Sequence, residues 1–173
     1  IIPKKKMNED PVEDNQVTVS EEKVIKVEES PWDIQFSNKS LQGALNNLVD
    51  EMIIERMCLE NDDFYVSEEV IAERYLVNEE IYQFQFHPVP LVAIIYNKDI
   101  DEFQIMMGLT RSSMNHIAIV PQEYKEAIQS IYQKLYDVKA YIEKGPYRIV
   151  DEDLENWIDK ENDFYLRVRF YYK

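Results

Sequence analysis

The chain has 173 residues and a mass of 20.7 kDa, enough for one folded domain with a real core plus a tail but not for two full-sized domains. Hydrophobic residues make up 45% and aromatics 12%, with twelve tyrosines, which is a globular composition and excludes a wholly disordered chain. Thirty-four Asp and Glu stand against 19 Lys and Arg; the formal charge of -15 disfavours direct nucleic-acid or anionic-lipid partners and favours a basic protein surface.

Residues 1–31 are polar and charge-mixed, with the β-like pieces "QVTVS" and "KVIKVE", and predict an N-terminal arm that is docked on a partner or is a flexible tail. A folded domain is expected over 32–173. It opens with a strand at "PWDIQF" (31–36), after which Ser40 is placed to cap a helix over 41–59. Leu41, Leu45, Leu48, Met52 and Leu59 form one face of that helix. Ile53, Ile54 and Met57 point away from it, which predicts a contact surface on its second half.

"DFYV" (63–66) reads as a strand, and Ser67 as the cap of a short helix through "EEVIAERYL" whose Glu68 and Glu69 suit the helix dipole. "IYQFQFH" (81–87) alternates as a half-buried strand does. Beyond Pro88 and Pro90, the apolar run 91–96 predicts a strand covered on both faces. "HIAIV" (116–120) is another expected strand.

From Pro121 to "KGP" (144–146) the sequence predicts one long helix, because Tyr124, Ile128, Ile131, Leu135, Val138 and Ile142 are spaced 4, 3, 4, 3, 4. Tyr132 and Tyr136 lie one turn apart beside that stripe and read as exposed contact anchors. "YRIV" predicts a strand, "DEDLENWIDK" a short helix and "FYLRVRFYY" a closing strand with Phe164, Leu166, Val168, Phe170 and Tyr172 on one face. Its other face carries Tyr165, Arg167, Arg169 and Tyr171, expected to be solvated and paired with acids. The expected fold class is α+β: a single compact domain with a mixed or antiparallel sheet packed by two long helices and two short ones, plus the extended arm.

The sequence carries no recognisable catalytic or cofactor pattern. Gly43, Gly108 and Gly145 are too scattered to write a phosphate-cradling loop. His87 and His116 form no zinc motif, and "SSMNH" lacks the elbow that a nucleophilic serine needs. Cys58, the only cysteine, excludes an internal disulfide and reads as a small buried side chain. Asp14, Glu21 and Lys23 match a metal-nuclease pattern only loosely, and the acidic clusters fit no calcium loop. A non-enzyme without cofactor or metal is therefore expected.

The longest apolar run, 89–96, is far shorter than the roughly 20 residues that a bilayer crossing needs, and residues 1–14 hold no apolar stretch typical of a secretion signal. The expectation is a soluble protein, intracellular or virion-associated. Its expected role is that of a protein-binding subunit of a larger assembly, with a composition suited to a viral or phage structural component. Ile53, Ile54, Met57, Tyr132 and Tyr136 are its candidate contacts, alongside the arm. The alternative is an acidic inhibitor that covers the basic surface of a nucleic-acid-binding enzyme through Asp62, Asp63, Glu68, Glu69, Glu73, Glu79 and Glu80. Its motive is the local charge: residues 33–80 carry twelve acids and three bases.

Overall fold

The computed structural model describes residues 25–27, 29–159 and 162–173. Most of the expected arm, the pieces "QVTVS" and Asp14, Glu21 and Lys23 lie outside the described residues. Strand β1 runs over Trp32–Phe36, helix α1 over Lys39–Ile54, β2 over Cys58–Glu60 and α2 over Glu68–Glu73. Short strands β3 (Ile81–Tyr82) and β4 (Phe84–Phe86) precede the meander β5 (Leu91–Asn97), β6 (Glu102–Gly108) and β7 (Asn115–Ile119). Helix α3 (Gln122–Ile131) leads into β8 (Leu135–Lys144), β9 (Tyr147–Val150), β10 (Asn156–Asp159) and β11 (Phe164–Tyr172).

Every strand pair is antiparallel, and the strands form small sheets: β1-β11-β8, β5-β6-β7, β10-β9-β3 and the ribbon β2-β4. In the first, Ile34 lies opposite Val168 and Val168 opposite Ala140, so one apolar row crosses three strands. That face meets Leu41, Leu45, Leu48 and Met52 of α1, Phe103, Ile105 and Met107 of β6, and Ile128 and Ile131 of α3 in the main core. A second, smaller core of Phe64, Ile71, Ile81 and Val150 lies beneath β10-β9-β3.

The expected α+β class, with two long and two short helices packing a sheet, is overturned. The described residues are 40% strand and 28% helix, and only two of the three α-helices exceed six residues. The largest correction falls on 124–142. Helix α3 stops at Ile131, a single turn follows over Tyr132–Lys134, and the rest is strand β8. Within β8, Ala140 and Ile142 are buried and Val138 half-buried, while Lys139 is exposed and Tyr141 and Glu143 are only half-buried, so the true period there is two. Val138 and Ile142 are four apart and satisfy both periods. Ala140, the residue that distinguishes them, carries little hydrophobic signal.

Helix α1 likewise ends five residues early. Its cap is Asn38, whose side chain accepts from the Leu41 amide at 2.9 Å. At its other end Arg56 turns left-handed (φ 58°), and the Met57 amide bonds back to the Met52 carbonyl at 2.8 Å. Leu59, expected on the helical face, is therefore an exposed residue of β2. "DFYV" forms a 3-10 turn over Asp62–Phe64, and "DEDLENWIDK" holds no helix among its described residues. There the Asp151 carboxylate accepts the amides of Asp153 and Glu155 and turns the chain into β10. The run 91–96 is an edge strand that is half-buried along most of its length, with Ile95 exposed, rather than one covered on both faces.

Candidate functional site: an aromatic surface joining two sheets

Strand alternation places the outer-facing side chains. On β11 the buried Phe164, Leu166, Val168 and Phe170 leave Tyr165, Arg167, Arg169 and Tyr171 on the far face, as the sequence pattern anticipates. Across the ladder Arg167 faces Tyr141 of β8 and Gln35 of β1, while Arg169 faces Lys139 and Asp33. The guanidinium of Arg167 lies 4.2 Å from the Tyr141 ring centre, and Lys144 reaches over the Tyr165 ring at 4.8 Å.

The arginines are internally satisfied. Asp33 accepts from Arg169 Nε at 2.8 Å and Nη2 at 3.1 Å and from Arg167 Nη1 at 3.1 Å, and Glu143 accepts from Arg167 Nε at 2.9 Å. The pair of hydrogen bonds donated by Arg169, helped by that from Arg167, holds the Asp33 carboxyl below its ordinary value.

On sheet β10-β9-β3 the pairing of Tyr82 with Tyr147, and of Ile149 with Trp157, puts four large side chains on one face. Tyr82 and Tyr147 stand 5.5 Å apart, and Trp157 meets Tyr147 edge-on at 5.6 Å. Trp157 is 53% exposed. A groove of about 490 Å³ links this sheet to the first, with Tyr82, Phe84 and Phe86 on one side and Tyr141, Glu143 and Arg167 on the other. Partial burial, then the Glu80 carboxylate to which its hydroxyl donates at 2.6 Å, pushes the Tyr82 phenol up. It therefore stays protonated, a hydrogen-bond donor rather than a nucleophile.

The residues named from the sequence are dispersed. Ile54 and Tyr136 are exposed and Ile53 barely so, while Met57 packs half-buried on the main core. Tyr132 also turns inward: its ring meets Phe103 at 5.0 Å and its hydroxyl accepts from the Tyr96 amide at 3.3 Å. With the helix ended at Ile131, Tyr132 and Tyr136 no longer share a helical face. By contrast, Asp62, Asp63, Glu68, Glu69, Glu73, Glu79 and Glu80 gather around the small core, where residues 61–80 hold seven acids against the lone base Arg74. Arg74 pairs with Asp63 and lies 3.7 Å from Asp62.

Sequence reasoning missed Tyr82, Tyr147 and Trp157 as a group. The pattern of "DEDLENWIDK" predicts a helix around Trp157, and nothing local pairs "IY" at 81–82 with "YRIV" at 147–150. The serines of "SSMNH" serve the turn: Ser113 Oγ accepts the Thr110 amide at 3.0 Å and donates to its carbonyl at 3.1 Å. Burial raises the Cys58 thiol above its usual value. Among the described residues no group of three His, Cys, Asp or Glu is placed to hold a metal ion, and no helix is long and apolar enough to cross a membrane.

A family model matches residues 2–173, and its description is "Family of unknown function (DUF6681)". The chain belongs to this family. No curated protein and no solved structure matches it.

Proposed function

We propose that this DUF6681 chain is a non-enzymatic, protein-binding subunit of a larger assembly, and that it meets its partner through the aromatic surface. The observation that carries this reading is the continuity of Trp157, Tyr147 and Tyr82 with the groove walled by Phe84, Phe86, Tyr141 and Arg167. Tyr, Trp and Arg are the residue types that dominate binding energy at protein interfaces, because they bury much area at little cost in rotamer entropy. Half-exposed rings on sheet faces are held in place before any partner arrives, which lowers the ordering cost of association.

The test is recovery of the native partner from the protein's source, followed by affinity measurements on Trp157→Ala and Tyr82→Ala. Each substitution is expected to weaken binding by about 2 kcal/mol, roughly thirtyfold, while circular dichroism stays unchanged. Full affinity in both variants would sink the proposal.

A second reading is favoured by the acidic cluster at 61–80: an inhibitor that covers a basic surface. Salt separates the two. Release of one basic partner by high salt, with Trp157→Ala silent, would establish the inhibitor in place of the assembly subunit.

A further inference from the structure

Among the described residues Arg148 is the one polar or charged residue that is buried, at 2% exposure. Its position on β9 opposite Ile158 and Ile81 turns it toward the small core, away from Tyr147. Nη1 donates to the carbonyls of Val66 at 2.6 Å, Phe64 at 3.0 Å and Asp63 at 3.4 Å, and Nε to Asn156 Oδ1 at 2.9 Å. All these acceptors are neutral. Nη2 is buried as well and has no acceptor. A guanidinium withdrawn from water with no anion beside it is expensive, and an unmade hydrogen bond adds to the cost.

Arg148 lines a cleft of about 620 Å³, and so do Asn156, Phe64 and Val66, which accept its shorter hydrogen bonds. The same cleft is lined by Tyr65, Ile158, Gln83 and Glu68. We infer that this cleft is a binding site for a small zwitterion, an amino acid with an apolar side chain, whose carboxylate takes the Nη2 protons of Arg148 and whose ammonium faces Glu68.

Three features select that chemistry. The unpaired positive charge and its unused donors call for an anionic oxygen. A simple anion would be repelled by Glu68 and by the six other acids of residues 61–80, whereas a molecule without net charge is not. The apolar walls of Val66, Tyr65 and Ile158 then take a hydrophobic side chain. Nη2 has no open surface before binding, so entry requires a rotamer change at the cleft. In this proposal the side chain that moves is Tyr65, since it lines the cleft, is 54% exposed and is held there by Gln83 Nε2 donating to its hydroxyl at 2.8 Å.

The experiment is a nuclear magnetic resonance titration of the full chain with three probes: L-phenylalanine, 3-phenylpropanoate, which lacks the ammonium, and phenethylamine, which lacks the carboxylate. It follows the Arg148 Nε–H and the Asn156 and Gln83 side-chain amides. Phenylalanine is expected to shift these signals saturably, and each truncated probe to bind about tenfold more weakly. Arg148→Met removes the clamp on the 63–66 carbonyls and risks unfolding, so Glu68→Gln supplies the independent check: it weakens phenylalanine and leaves 3-phenylpropanoate no weaker. The proposal is overturned by no saturable shift with phenylalanine, by equal affinity for either truncated probe, or by indifference of phenylalanine to Glu68→Gln. The outcome is independent of the partner proposed above, since only the isolated chain and free probes are used.

Discussion

At the scale of single residues, what matters is which charges are shielded and by what. Asp33 sits between two arginines of the neighbouring strand, so its pairs cost the sheet little and lock β1 to β11. Its folded pKa is depressed. Its contribution is therefore fully present above the ordinary carboxylate pKa of about 3.9 and is lost as pH falls through the lower folded value. Asp33→Asn is expected to lower stability by about 1 kcal/mol at neutral pH, a figure limited by solvent screening, and by nothing at a pH low enough to protonate the native carboxylate. Urea unfolding of both proteins at the two pH values checks this, and a loss independent of pH would mean that packing, not charge, was removed. The inward-outward alternation that creates this network could be read in "FYLRVRFYY" by itself. The partner Asp33 could not, because it lies 134 residues from Arg167.

At the scale of elements, the junction after β8 decides the fold. Lys144 and Gly145 both take left-handed backbone (φ 66° and 86°), and the chain leaves the β1-β11-β8 sheet to start β9 in another. A side chain at Gly145 would be strained in that conformation, and its Cβ would come within 2.3 Å of the Phe164 ring. Gly145→Ala is expected to cost about 2–3 kcal/mol, from the strain together with the displacement of a core ring, measurable as a lowered urea midpoint with an unchanged slope. A cost below about 0.5 kcal/mol would show that the junction relaxes freely. "KGP" was legible as a stop signal, yet the element it stops is a strand. Glycine and proline mark where a segment ends; the partner beside it determines what the segment is. Here β11 lies along β8 and supplies the hydrogen bonds that a helix would have made within itself.

At the scale of the whole molecule, two hydrophobic clusters of unequal size divide the stability. The main core unites three sheets' worth of strands and two helices, whereas the small one rests on four buried apolar residues and the Arg148 clamp. Seven acids crowd the small core, and their repulsion acts on the element with the least buried area to resist it. Native-state hydrogen exchange is expected to show the amides of α2, β9 and β10 opening at a free energy at least about 2 kcal/mol below that of β8 and β11, with added salt narrowing the gap. A single opening energy for both sets would mean that the clusters form one cooperative unit. The proposed partner surface and the Arg148 cleft both involve the part expected to open first, where a binding event has the most ordering left to do.

By itself the sequence determined the strongly acidic balance, the strands that carry their own alternation, the cap at Ser67 and the apolar stripe of α1, since each rests on neighbours within a few residues. It also determined that the familiar glycine-rich nucleotide-binding loops cannot be written. Only the tertiary structure decided that residues 135–144 form a strand, that Tyr132 turns inward, and that Tyr82, Tyr147 and Trp157 share one face. The aromatic group depends on pairing between strands far apart in the chain, and the strand at 135–144 has a further physical reason. Where a segment's apolar spacing satisfies a period of two as well as one of 3.6, its own side chains cannot choose, and the choice passes to a distant strand that offers backbone partners and a face to bury.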